Sequence, residues 1–373
     1  MTSLRVVLIT LFACLVVSIP LSPAQAQQTA SARTKITISG TVLLPDGQPA
    51  SDARVLAGYR DSAQQGKQAE THTDAEGRYS FVLTDADPRP AVMLFATKPG
   101  FAFAYNWYSG KPEGAVLRLG AKPAALVGTI VDEQGQAVAQ AEVTITSGRI
   151  AKPSADPETG YLDFYKNRFL HCTSDAQGEF RLEDLPFDAI FWFDVDAPHQ
   201  ARITGKRDLS DTTPLRVVLQ PEATIAGHVL HEGKPVAGIT ISAQSQAPGG
   251  WGKALTGADG GYGIEHLPAG KYNVGIADFP EGLTGAAVEG VAVKAGDHAT
   301  GVDLTLTPGA LVTGKVTAAD GAPMAGASVA SYGPARPPSG AWCHVVKTAA
   351  DGTYSVRLPE GHSRLYYMGN LPG

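Results

Sequence analysis

A glycine set among alternating apolar residues recurs four times along the chain, and it limits the possible folds more than any other feature. Gly40, Val42, Gly47, Pro49, Ala53 and Val55 fall at offsets that return as Gly128, Ile130, Gly135, Ala137, Ala141 and Val143. The third copy is Gly227, Val229, Gly233, Pro235, Ile239 and Ile241, and the fourth is Gly314, Val316, Gly321, Pro323, Ala327 and Val329. The copies lie about 90 residues apart, longer than a solenoid repeat and close to the size of one self-contained β-sandwich.

Each copy reads as strand, turn, strand. Apolar residues alternate before the turn, as in Ile38-Gly40-Val42 and Ile225-Gly227-Val229, which is the period of a half-buried strand. A glycine on the buried face leaves room for a bulky residue from a facing strand. Gly47, Gly135, Gly233 and Gly321 then suit a turn that needs positive φ, and a second alternating run follows.

The chain has 373 residues with 42 glycines and 26 prolines. Together these make about 18% of the chain against an average of roughly 12%, as many short strands joined by punctuated turns require. The net charge is -6 with both signs interspersed, so there is no electrostatic footprint for nucleic acid or anionic lipid.

Residues 1-26 read as a secretion signal. Arg5 precedes an apolar segment from Val6 to Ile19, Pro20 breaks it, and Ala24-Gln25-Ala26 supplies small residues for cleavage before Gln27. A rival reading makes Cys14 an acylated lipoprotein N-terminus; the bulky Phe12 and the continuing Leu15-Val16-Val17 argue against it. Beyond this segment no apolar run approaches the roughly 18 residues that span a bilayer. Cys172 and Cys343 then lie in different copies and read as thiols lodged in packed strands or loops, not as a disulfide scaffold.

The plan predicts an all-β tandem array of four β-sandwich modules at 36-120, 124-220, 223-307 and 310-373, the last one incomplete. Each module carries a turn followed by an aromatic: Asp74-Ala75-Glu76-Gly77-Arg78-Tyr79, Asp175-Ala176-Gln177-Gly178-Glu179-Phe180, Asp259-Gly260-Gly261-Tyr262 and Asp351-Gly352-Thr353-Tyr354. In the first module the polar stretch from Arg60 to Glu70 reads as loop or short helix, and Phe101, Phe103, Tyr105 and Trp107 as a core strand. Gly148 to Leu170 is the longest insertion. The fourth module lacks the closing strands of the others, which predicts either a longer chain or an open edge that another strand could join. Short joints around Pro123, Pro221 and Pro308 predict a monomeric, semi-rigid string.

The strand glycine, the Gly-x-Pro turn, the Ala-x-Val strand, the Ser/Thr-Asp-x-x-Gly-x-aromatic turn and the step Leu267-Pro268-Ala269-Gly270-Lys271-Tyr272 together resemble the bacterial carboxypeptidase regulatory-like domain. The resemblance covers nearly all of the chain after the signal. It implies a transthyretin-like, Ig-like β-sandwich, related to the B-type repeats of surface adhesins and grouped with carbohydrate-binding-like folds. It also implies a non-catalytic spacer, folding support or binding module. The first module departs from the pattern by lacking the Leu-Pro-x-Gly-x-Tyr step, and the fourth by lacking its end. An internal Lys to Asn isopeptide, known in related adhesin repeats, finds no match: Lys315 has no late strand to pair with.

No constellation supports catalysis. His228, His231 and Glu232 come nearest to a zinc site, but the two histidines are an odd number apart on a predicted strand and face opposite ways. Asp184, Asp188, Asp194 and Asp196 could attract calcium but lack an EF-hand spacing. Cys172 follows His171 without an evident third member. No metal and no cofactor is expected.

Aromatic residues are the better lead. Trp251 and Trp342 occupy corresponding loops, Tyr161, Phe164 and Tyr165 lie in the equivalent insertion, and Trp107 with Tyr108 sits at a strand rim. Such rings can stack on sugars or cap their own cores. The sequence therefore predicts a non-enzymatic exported protein, periplasmic, cell-surface or secreted, acting as structural spacer or interaction module at the cell envelope. Its partner would be another envelope protein or a cell-surface glycan. The alternative is a carbohydrate-binding protein using Trp107, Tyr108, Tyr161, Trp251 and Trp342; further off is an accessory region of a hydrolase.

Overall fold

The computed structural model describes residues 35–60, 66–84, 91–109, 113–150, 161–163, 169–277, 279–280, 282–318, 320–332, 343–358 and 364–368. The signal segment, Phe164, Tyr165 and Trp342 lie outside them. The described elements are all strands, so the all-β expectation holds. No helix among the described residues is long and apolar enough to cross a membrane.

Successive stretches pair their strands in one scheme. An opening strand takes an antiparallel partner on one side: Ile36–Leu43 with Arg78–Leu83, Pro123–Asp132 with Glu179–Pro186, Ala223–His231 with Gly261–Leu267, Ala310–Lys315 with Thr353–Leu358. In the first three, a parallel closing strand lies on the other side: Glu113–Arg118, Leu215–Leu219 and Leu304–Pro308. A second antiparallel sheet faces each of these three, as in the order Gly66–His72, Arg54–Arg60, Ala91–Lys98, Phe101–Ser109. The apolar alternation of Ile38, Val42, Val55, Leu94 and Leu117 closes the space between the first two sheets.

The strand glycine has a cause different from the one its sequence suggests. Gly40 pairs directly with Tyr79 of the neighbouring strand, and a Cβ on it would lie 2.0 Å from the Ala115 carbonyl oxygen and 2.5 Å from the Tyr79 hydroxyl. Gly128 stands in the same relation to Phe180, and Gly314 to Tyr354. The bulky residue therefore comes from the same sheet, because directly opposed residues sit only about 5 Å apart and the ring folds flat over the bare backbone. The Tyr262 hydroxyl, over Gly227, donates to the Val302 carbonyl at 2.5 Å.

A buried hydroxyl fastens each turn to its sheet. Thr73 Oγ1 donates to the Ala50 carbonyl at 2.5 Å and accepts the Ala53 N–H at 2.8 Å. Ser174 bridges Val138 and Ala141, Thr256 bridges Val236 and Ile239, and Thr348 bridges Met324 and Ala327 in the same way. Each hydroxyl uses both donor and acceptor capacity on backbone groups that burial would otherwise leave unpaired. The following aspartates cap the adjoining turn: Asp74 Oδ1 accepts from the N–H groups of Glu76 and Arg78, Asp175 Oδ1 from those of Gln177 and Glu179.

Two expectations are corrected. The stretch read as loop or helix holds the strand Gly66–His72, which pairs with Arg54–Arg60 and is exposed or half-buried along its length; an edge strand of this kind lacks the apolar alternation that marks a strand in sequence. The first stretch also does not keep all its apolar residues to a core of its own. Ala91–Lys98 is buried on both faces: Val92, Leu94 and Ala96 enter the first core, whereas Met93 and Phe95 enter a second one with Phe103, Tyr105, Phe180, Phe191 and Phe193. Phe103 lies 4.6 Å from Phe95 and 6.1 Å from Phe191 between ring centroids. One apolar core thus spans the joint around Pro123.

Among the described residues, the opening strand Ala310–Lys315 pairs only with Thr353–Leu358. Its Val312 is half-buried, whereas the corresponding Ile38, Leu126 and Ile225 are buried.

Candidate functional site

The joint between the second and third stretches gathers more functional chemistry than any single loop. The chain leaves the closing strand Leu215–Leu219, passes Gln220-Pro221-Glu222 and enters Ala223–His231. The Glu222 side chain is only 11% exposed and receives the His266 N–H on Oε2 at 2.8 Å. Its two oxygens face His199 Nδ1 at 3.4 Å and His266 Nδ1 at 3.3 Å. These residues line an open cleft of about 390 Å³ together with Gln140, Glu142, Asp196 and Glu265.

Arg202 locks the other side of this joint. Its guanidinium pairs with Asp196 at 2.7 Å, lies 4.2 Å from the centroid of the Trp251 ring and donates from Nη1 to the Trp251 carbonyl at 3.2 Å. Its own N–H donates to the His266 carbonyl at 2.8 Å. Gly249 has φ +75 and approaches so closely that a Cβ there would lie 2.4 Å from the Arg202 carbonyl oxygen, a place that only glycine fills without strain. One face of Trp251 is thereby engaged by the guanidinium.

The aromatic candidates are not brought together. Trp107 is 44% exposed and stands opposite Met93 on Phe101–Ser109, while its neighbour Tyr108 is half-buried against the first core. Trp251 is half-buried at the joint. Tyr161 begins the short strand Tyr161–Asp163, paired with Arg149; its side chain and all of Trp342 lie outside the described residues. Sequence reading passed over Trp192, half-buried on the outer face with Lys206 Nζ 5.4 Å from its ring centroid. The signal for it was its placement between the buried Phe191 and Phe193.

Most of the polar candidates have their own partners. Asp184 Oδ1 accepts the Gly100 N–H at 3.0 Å, Asp194 Oδ1 accepts from Thr204 at 2.6 Å, Asp196 pairs with Arg202, and Asp188 is exposed. Burial pushes Asp194 above the usual carboxylate range against the pull of the Thr204 hydroxyl and Arg202. The His228 N–H donates to Asp303 at 2.8 Å, His231 Nδ1 lies 2.9 Å from the Leu306 carbonyl, and Glu232 holds φ 51 in the turn. No group of three metal-ligating side chains forms among the described residues. Cys172 is half-buried opposite Val143, and burial pushes its thiol up to about 11, the character of a packed thiol and not of a nucleophile.

Comparison with known proteins adds the following. No curated protein matches the chain. A streptococcal ancillary pilin aligns at 13% identity over 74% of this chain and 100% of its own, with a TM-score of 0.26. The shaft pilin SpaA from Lactobacillus rhamnosus GG aligns at 11% over 51% and 98%, TM-score 0.24, and BcpA, the major pilin subunit of Bacillus cereus, at 9% over 74% and 100%, TM-score 0.19. TM-scores this low carry no inference about this chain. The profile of the carboxypeptidase regulatory-like domain matches residues 224–307, the stretch from the opening strand Ala223–His231 to the closing strand Leu304–Pro308. That stretch, at least, is a member of the carboxypeptidase regulatory-like domain family.

Proposed function

We propose that the chain is a non-enzymatic exported structural protein that acts as a spacer at the cell envelope, built of four sandwich modules at 36-120, 124-220, 223-307 and 310-373. The observation that carries this reading is the treatment of the joints. Each is tied by packing or hydrogen bonds, as between Phe103 and Phe191, Arg202 and Trp251, or Arg357 and the Gly309 carbonyl at 2.6 Å. A protein that only needed its modules as separate binding heads would gain nothing from such joints, whereas one that must hold its two ends apart would. Asp184, Asp194, Asp196, His228 and His231 are meanwhile engaged with backbone or neighbouring side chains, and no nucleophile and base pair forms among the described residues.

Small-angle scattering of the secreted chain tests it. The expected result is an elongated particle whose maximum dimension is unchanged by moderate salt; a near-spherical particle would overturn the reading. A second reading, glycan binding, is favoured only by the exposed Trp107 ring. Retention on insoluble polysaccharide that is lost in Trp107→Ala would support it, and no retention across a broad glycan panel would end it.

A further inference from the structure

In the first three stretches the opening strand has a partner on each side, whereas among the described residues Ala310–Lys315 has one. Burial follows the difference. Ile38 and Val42, Leu126 and Ile130, and Ile225 and Val229 are at most 1% exposed, but their counterparts Val312 and Val316 are half-buried. The backbone groups on the open side are those of Leu311, Thr313 and Lys315. This follows from the third stretch, where the Val302 N–H donates to the carbonyl of Ala226, the residue before the strand glycine and so the counterpart of Thr313.

The ring over the strand glycine also waits for an acceptor. The Tyr79 hydroxyl donates to the Ala115 carbonyl at 3.4 Å and the Tyr262 hydroxyl to the Val302 carbonyl at 2.5 Å, both on the closing side. Tyr354 takes the same place over Gly314, its hydroxyl 2.4 Å from where a Cβ would stand, and donates to no group among the described residues.

We propose that Ala310–Lys315 is a docking edge for an extended segment of a second polypeptide, laid parallel to it, apolar at three alternate positions and acidic at the position beside Lys315.

The filled sites of the other stretches specify this occupant. Their closing segments carry Ala115, Leu117 and Leu119, then Leu215, Val217 and Leu219, then Val302, Leu304 and Leu306. The first apolar residue lies beside the strand glycine, as Ala115 beside Gly40 and Leu215 beside Gly128. The second lies beside the next apolar residue of the opening strand, as Leu117 beside Val42, Val217 beside Ile130 and Leu304 beside Val229. The same register at the fourth stretch brings the first apolar residue to Gly314, with its carbonyl at the Tyr354 hydroxyl, and the second to Val316. Main-chain bonds then supply affinity and the alternate side chains supply selectivity. The residue between them points outward. In the third stretch that pair is His228 and Asp303, and Asp303 Oδ1 accepts the His228 N–H at 2.8 Å. The counterpart of His228 is the exposed Lys315, whose charge an acidic residue complements. The chain's own spare segments do not fit: after residue 26, none outside the described residues holds three apolar residues at alternate positions without a proline.

The probe is a labelled synthetic peptide with the sequence of residues 301–308, added to the whole chain. It should bind saturably, and at about ten times its Kd the Leu311 and Thr313 amides should gain about tenfold protection from hydrogen exchange, with the Val229 amide unchanged. Tyr354→Phe should weaken binding about fivefold. Lys315→Glu should weaken it by about the same factor, and a peptide carrying Asp303→Lys should restore it. Thr313→Pro suits an edge whose N–H faces solvent and should abolish binding while Val356 keeps its protection; should that variant not fold, the charge exchange at Lys315 decides. No binding by the native chain, or binding that ignores both Thr313→Pro and Lys315→Glu, would overturn the inference. So would protection of Leu311 and Thr313 that appears only when the segment is fused to this chain, or that rises with chain concentration in the absence of peptide, since the edge would then take its own polypeptide or a second copy.

Discussion

The joint between the first and second stretches and the joint between the second and third span equally short linkers, yet they are held in opposite ways. At the first, Met93, Phe95, Phe103 and Tyr105 enter the core of the following sandwich, so separation would expose aromatic surface to water. At the second, an ion pair, a cation on an indole and a carboxylate between two histidines do the holding. Apolar contact of the first kind is not weakened by ionic screening, whereas contacts between charged groups are. The chain therefore combines a fused pair with a joint held by polar and charged contacts.

The largest effect should come from the fused pair. Phe103→Ala should cost about 3–5 kcal/mol and loosen both residues 36–119 and 124–219 in hydrogen exchange, whereas Ile241→Ala, deep in the third core, should loosen only its own stretch. Loss of protection confined to one of the first two stretches would break the comparison. Gly128→Ala should come next, because its Cβ would lie 2.5 Å from the Leu215 carbonyl oxygen and 2.8 Å from the Phe180 ring. Overpacking of this kind costs about 1–3 kcal/mol, which denaturant melts would register.

Thr256→Val leaves the Ile239 N–H and Val236 carbonyl without their buried partner and should cost about 1–3 kcal/mol, read as a lower urea midpoint for the third stretch alone. Arg202→Ala should cost about 1 kcal/mol. Its sharper signature is that salt at about 1 M no longer weakens the second joint, measured by limited proteolysis around Pro221; an unchanged salt response would show that Arg202 does not hold it.

The smallest effect concerns Asp194. Burial raises its pKa, so the ionised form is disfavoured in the folded protein and its contribution is unfavourable above both the unfolded and the folded value. Stability should fall as pH climbs through that window. Asp194→Asn should flatten this part of the profile; a steeper profile would mean that the Thr204 and Arg202 contacts outweigh burial.

Much of the fold was readable from residue order. Strand, turn and strand at each strand glycine, the positive φ at Gly47, Gly135, Gly233 and Gly321, and the aromatic after each Asp-containing turn all follow from local periodicity and turn chemistry. The shared core was half-written. Val92-Met93-Leu94-Phe95-Ala96 runs apolar without alternation, the mark of a strand buried on both faces, but sequence order does not say what covers the second face. The joints were hidden for a different reason. Asp184, His266 and Arg357 share a place and not a chemistry, so no motif unites them until the backbone brings each against what precedes it. Trp251 looked like a loop aromatic because its partner Arg202 lies in the preceding repeat.

In the first three stretches the strand by which the chain enters runs alongside, and in the same direction as, the strand by which it leaves. Tension applied to the two ends of such a unit pulls these neighbours in opposite directions along their length. The row of hydrogen bonds between them is then loaded in shear, all rungs at once, and cannot be unzipped from one end. Units built in this way should therefore resist stretching between their two ends.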